Sequence, residues 1–156
     1  MNDKTSIIDP QLVAQLRDPA TGTQLAYDEQ QDRILNDDRS ESWPVIDGIP
    51  RFVSDEHLKS FGDQWNTYEV AHDDEDRDTF VAKTGMPLEQ MRGLRVLDAG
   101  CGGGRYSKIC GEAGATVIGA DHSRAVDKAT QLCSHLADVR FLQADLKQLP
   151  LKTESF

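Results

Sequence analysis

The residues best suited to do chemistry lie in one run, Val96-Leu97-Asp98-Ala99-Gly100-Cys101-Gly102-Gly103-Gly104. Glycines at 100, 102 and 104 permit backbone conformations closed to other residues and let a ligand approach the main chain. Asp121 follows about 20 residues later, the spacing at which a carboxylate accepts hydrogen bonds from a ribose diol. Together, loop, spacing and acid select an adenosine-type cofactor. A dinucleotide fingerprint would place glycine at Arg105, whereas the pattern here is G-x-G-x-G. Asp98, two residues before the first glycine, would repel a pyrophosphate but suits a cationic amine. S-adenosylmethionine carries an amine and a sulfonium and no phosphate, so the electrostatics favour it over NAD or FAD.

The elements that must position these residues can be read from the flanking texture. Leu94–Asp98 reads as a buried strand, Tyr106 to about Ala113 as a helix, and Thr116–Asp121 as a second strand. Ser123 to about Leu136 reads as a second helix and Val139–Gln143 as a third strand. This alternation predicts a parallel sheet with right-handed crossovers, an α/β Rossmann-like class. Upstream, Asp9 is placed to cap a helix opening at Pro10, and Asp18–Gly22 is a turn. Gln24–Tyr27 and Asp32–Leu35 read as short strands. Trp43–Val53 gives two extended pieces hinged at Asp47-Gly48, a preferred hairpin dipeptide, with Trp43, Ile46, Ile49 and Phe52 expected to hold the unit together. Leu58, Phe61, Trp65 and Tyr68 recur at helical spacing, and a further helix is expected from about Glu75 to Lys83. The chain thus divides into a β-rich leader (1–54), a helical lead-in (55–92) and a β-α-β-α-β unit (93–156).

Residues 93–156 resemble the first half of a class I S-adenosylmethionine-dependent methyltransferase of the type 11 kind. The resemblance rests on the glycine run, on Gly119-Ala120-Asp121-His122-Ser123, and on Gln143-Ala144-Asp145-Leu146 with Leu149-Pro150-Leu151 and Glu154-Ser155-Phe156. It implies a cofactor site made of Asp98, Gly100, Cys101, Gly102, Asp121, His122, Asp145 and Leu146. The glycine loop would lie against the methionine part, Asp121 would hold the ribose hydroxyls, and Asp145 with Leu146 would meet the adenine. Asp145 also reads as an ordinary helix cap, and His122 as a loop histidine near the adenine in preference to a base. No catalytic residue is assigned, because groups that grip the acceptor belong to later strands in that family. The order 3-2-1-4-5-7-6 of the family's sheet is met only as far as 3-2-1, so the expectation is an amino-terminal fragment with an apolar first-strand edge able to self-associate.

The leader is similar to a zinc-ribbon-like segment that precedes many such methyltransferases. Asp18 and Thr21 stand where its first cysteines would fall, so no metal site is expected. Phe61-Gly62-Asp63-Gln64-Trp65 resembles the helical lead-in of the same proteins.

Composition bounds the rest. The 156 residues carry 27 acidic against 17 basic side chains, a net charge of −10, which disfavours nucleic-acid partners. No run approaches the ~18 apolar residues of a membrane span, and the first residues lack a signal-peptide core. Cys101, Cys110 and Cys133 form no C-x-x-C pair and read as reduced thiols of a cytoplasmic protein. The acidic run His72–Asp76 reads as a solvated helix start, acids being favoured there by the helix dipole. The leading expectation is a methyltransferase acting on a small-molecule or lipid-like acceptor. The alternatives are a non-catalytic half-domain that works through a partner, and a NAD-type oxidoreductase.

Overall fold

A computed structural model describes residues 8–53 and 73–156. Leu58, Phe61, Trp65 and Tyr68, with the lead-in motif at 61–65, lie outside the described residues. Helix α1 (Pro10–Gln15) opens as the sequence predicts, with the Asp9 carboxylate accepting the Gln11 N–H at 2.7 Å. The other carboxylate oxygen of Asp9 accepts from Arg140 at 2.6 Å, so one residue both caps α1 and ties it to the sheet.

Four short strands follow: β1 (Ala26–Asp28), β2 (Arg33–Leu35), β3 (Ser42–Ile46) and β4 (Ile49–Phe52). The β3–β4 hairpin turns on Asp47 and Gly48, with φ of 53° and 76°; both central residues are left-handed, matching the twist of the flanking strands. Trp43 and Phe52 do hold the hairpin, their ring centroids 5.1 Å apart. Ile46 does not: it is 47% exposed at the hairpin tip, and strand alternation puts Val45 in the core instead. The Asp18 turn is held by its own buried carboxylate, which accepts the Ala20 and Thr21 N–H groups at 2.8 and 3.3 Å.

Helix α2 (Asp73–Thr84) spans the predicted Glu75–Lys83 segment and is followed by Gly85 at φ 67° and a 3-10 turn (Leu88–Met91). Then come β5 (Arg95–Ala99), α3 (Arg105–Glu112), β6 (Thr116–Asp121), α4 (Ala125–Leu132) and β7 (Val139–Ala144). Helix α4 stops four residues before the predicted Leu136: the chain tightens into turns, with Leu136 N–H donating to the Cys133 carbonyl at 2.8 Å, and Leu136 packs on the core.

The strands form one sheet in the order β1-β2-β3-β4-β7-β6-β5. The three carboxy-terminal strands are parallel and run third-second-first, as read from sequence, with β5 at the edge. Beyond β7 the sheet continues into the leader, because β4 pairs with β7 in parallel, Arg51 opposite Gln143. Alternation divides β6 and β7 between two cores. Val117, Val139 and Phe141 face α2, α3 and α4, whereas Ile118, Ala120, Leu142 and Ala144 face α1 and the leader's Leu12, Leu16 and Leu25. Both crossover helices lie on one face, as successive right-handed connections in one direction require.

Glycine governs how closely α3 and α4 approach. At Gly104, φ 85°, a Cβ would lie 2.7 Å from the Ala129 Cβ of α4, whereas at Gly103 it would meet nothing within 4 Å. Gly104→Ala should therefore destabilise the protein by about 2 kcal/mol or more, combining a left-handed penalty with overpacking. Gly103→Ala should be close to neutral, and urea unfolding of the two variants checks the contrast.

Candidate functional site

The carboxyl ends of β5, β6 and β7 lie side by side, with Ala99 opposite Ala120 and Asp121 opposite Gln143. Every site residue predicted from sequence is in β5, β6 or the loops leaving these three ends. Gly100 and Cys101 both donate their N–H groups to the Ala120 carbonyl, at 2.8 and 3.1 Å, folding the glycine loop back over β6. Gly100 at φ 82° and Gly102 at φ 50° make that reversal. A Cβ built at Gly102 meets nothing within 4 Å, so the loop's outer side is open to a ligand.

Asp121 closes the loop from below. One carboxylate oxygen accepts the Gly102 N–H at 2.9 Å, and the other accepts the N–H and hydroxyl of Ser123 at 2.8 and 2.7 Å. A carboxylate has about four acceptor positions, so these bonds fix its direction without exhausting its capacity. Sequence reasoning gave Ser123 no role, although a hydroxyl two residues after an aspartate is a recognised local hydrogen-bonding pattern.

Asp98 is half-buried at the end of β5, and its carboxylate accepts the hydroxyl of fully buried Ser107 at 2.6 Å. Burial pushes its pKa up, opposed by the Ser107 bonds and reinforced by the nearby Asp121 charge. Ser107 had no signal in the sequence, since only the placement of α3 against β5 brings it there. Cys101 is 8% exposed, so it offers a ligand its backbone alone; burial first, then the Asp98 and Asp121 charges, push its thiol far up and keep it protonated.

On the far side of the cleft, Asp145 is exposed and caps a turn instead of a helix, accepting the Lys147 N–H at 2.9 Å. The next residue, Leu146, is 42% exposed and reaches the glycine loop: a Cβ on Gly100 would lie 3.7 Å from its Cδ1. His122 is half-buried, and its carbonyl accepts from the Gln143 side chain at 2.9 Å. Gln143 is itself completely buried and accepts from Arg51 at 3.0 Å, two further residues that sequence reasoning left out of the site. Arg51 had a signal, as a lone cation in an apolar strand. A separate groove lined by Gln15, Leu94, Arg95, Lys152 and Phe156 lies at the amino end of β5, away from this cleft. Among the described residues no three His, Cys, Asp or Glu side chains gather as metal ligands, and no helix is long and apolar enough to cross a membrane.

Open-sided glycine loop, acid at the second strand end and third-strand turn lie together at the carboxyl ends of the parallel strands, where folds of the doubly wound type bind ligands. In comparison with known proteins, the methyltransferase-domain family matches residues 97–156. This stretch is similar to a methyltransferase domain. Over 41 residues, 26% of its length, the chain is 58% identical to the ubiquinone biosynthesis O-methyltransferase of Agrobacterium fabrum. The corresponding enzyme of Rhizobium johnstonii is 56% identical over 41 residues. Each match spans 15% of the relative's length. Among solved structures, magnesium protoporphyrin IX methyltransferase from Synechocystis, crystallised with S-adenosylmethionine, is 33% identical with a TM-score of 0.42, covering 56% of this chain and 50% of that one.

The raised pKa of Asp98 bears on stability. A folded-state pKa above the unfolded value means that the group's stabilising contribution is complete below the unfolded pKa and is lost as pH rises through the folded one. At neutral pH Asp98 therefore opposes folding. Asp98→Asn, which retains a partner for Ser107, should raise the thermal midpoint at pH 7, with the gain shrinking on acidification. Scanning calorimetry between pH 4 and 7 checks the sign.

Proposed function

We propose that this chain forms the cofactor-binding part of an S-adenosylmethionine-dependent methyltransferase acting on a small-molecule or lipid-like acceptor. The observation that carries the reading is the pair of carboxylates around the glycine loop: Asp121, locked to Gly102 and Ser123, and Asp98, half-buried beneath the same loop. Two acids enclosing a loop without a basic side chain of its own suit a ligand with a ribose diol and a cationic amine. They do not suit a pyrophosphate. Arg105, where a dinucleotide loop would have its third glycine, is turned to Asp76 at 3.0 Å.

In this reading Asp121 receives the ribose hydroxyls, and Asp98 attracts the amine of the methionine moiety. Gly100 and Gly102 allow that moiety to lie against the backbone. Leu146 covers one side of the adenine, with the Asp145 carboxylate at its rim and His122 beside it. The cofactor supplies an electrophilic methyl on a sulfonium. These residues would hold that methyl in register with the acceptor, and such positioning contributes much of the rate. The names of the relatives, O-methyltransferases of ubiquinone biosynthesis and a magnesium protoporphyrin methyltransferase, support a small organic acceptor. The chain's net charge of −10 is in keeping with an acceptor other than a nucleic acid.

Calorimetric titration with S-adenosylhomocysteine and with NADH tests the assignment. S-adenosylhomocysteine should bind and NADH should not; the reverse preference would remove the methyltransferase reading, and binding of neither would favour a non-catalytic half-domain. Asp121→Ala should weaken S-adenosylhomocysteine by about tenfold or more, the loss of one to two charged hydrogen bonds. Unchanged affinity would take Asp121 out of the site.

A further inference from the structure

Arg51 is 4% exposed in β4, flanked by Pro50 and Phe52, and its guanidinium lies on the face of the sheet that α4 covers. One terminal nitrogen donates to the Gln143 side-chain oxygen at 3.0 Å. The other donates to Asp127 in the first turn of α4 at 2.5 Å, and more loosely to the Ile46 carbonyl at 3.5 Å. Its Nε is buried without a partner. Both strong contacts lead to the same short segment. Gln143 passes its amide N–H to the carbonyl of His122, the residue after Asp121, at 2.9 Å. Asp127 accepts from Arg124 through its second oxygen at 3.3 Å. The segment 121–124 is thus held at His122 and at Arg124, and both ties converge on one side chain of the leader.

A buried cation with an unsatisfied N–H is a poor way to stabilise a sheet that backbone pairing already registers, and an apolar side chain would fill the position at lower cost. Fixing the position of its partners is the better-attested use of such a group. We infer that Arg51 is a positioning residue for the cofactor site: strand β4 reaches through Gln143 and Asp127 to set the Asp121–Arg124 segment, so that Asp121 meets Gly102. The inference rests on the proposed function for its consequence, since it makes the leader a part of cofactor binding, but its geometry stands in the ligand-free protein.

The test is amide hydrogen exchange in the ligand-free 156-residue chain, wild type against Arg51→Gln. Arg140→Gln is the reference, because Arg140 ties the leader's Asp9 and Gln11 to β7 with no contact to the 121–124 segment. The amides of Gly102 and Ser123 both donate to Asp121, and that of Val117 in mid-sheet donates to Asp138 as a gauge of global opening. Arg51→Gln should speed Gly102 and Ser123 exchange at least tenfold relative to Val117, and Arg140→Gln should move all three alike. A uniform change in Arg51→Gln would overturn the inference. Should that variant fail to fold, Gln143→Leu leaves the Arg51–Asp127 pair, removes the Arg51–Gln143–His122 relay, and is held to the same criterion. Arg51→Gln should also weaken S-adenosylhomocysteine about tenfold in the wild-type background and add no further loss to Asp121→Ala; full affinity in folded Arg51→Gln would again overturn the inference. If the wild type binds no S-adenosylhomocysteine, the proposed function fails while the exchange pattern still decides the role of Arg51.

Discussion

The hydrogen bond from the Gly102 N–H to Asp121, 2.9 Å long, joins the two features from which the site is made. The loop is also held where Gly100 and Cys101 meet the Ala120 carbonyl and where the Gly104 N–H closes on the Cys101 carbonyl at 2.9 Å. Through the Gly102 bond, loop and acid share one rigid geometry. Ser123 completes the constraint by occupying the opposite oxygen, so the carboxylate cannot rotate without losing bonds on both sides. A site ordered before its ligand arrives loses less conformational entropy on binding.

The layers beneath that bond are closely packed. At Gly119 a Cβ would lie 2.5 Å from the Phe141 ring, and at Gly111 it would lie 2.3 Å from a Val139 methyl. Missing side chains at 104, 111 and 119 let α3 settle against β6, β7 and α4, which brings Ser107 within 2.6 Å of Asp98. The glycines outside the loop therefore act on the site as well as those within it. Their effect is steric and comes through the height of α3 above the sheet.

Much of this was legible in the sequence because it is local. Asp9-Pro10 marks a helix start, Asp47-Gly48 a hairpin, and three apolar runs separated by helical segments a parallel β-α-β-α-β unit. The placement of the proposed site residues was legible for the same reason: Asp98, the glycines, Asp121 and Asp145 lie at or just after strand ends, and strand ends gather on one edge of such a sheet. What could not be read depends on contacts between distant residues. Pairing of β4 with β7 joins positions 92 apart, Arg51 to Gln143, and nothing periodic in either strand announces the partner. Ile46 misled for a related reason, because its type suits a core but its place at a hairpin tip exposes it. Helix α4 read long because its pattern runs on to Leu136, whereas packing needed a tighter turn there.

The two acids differ in their hydrogen-bond surroundings. Asp121 accepts from the backbone N–H groups of Gly102 and Ser123 and from the Ser123 hydroxyl. Asp98 is half-buried with Ser107 as its hydrogen-bond donor and a like charge nearby, an arrangement that disfavours its ionised form. Such an acid gains most from a cation that enters the cleft, since the ligand removes a penalty already present in the free protein. On the proposed function, a preference for a cationic amine over a phosphate follows from the same unfavourable charge, which repels an anion and rewards a cation.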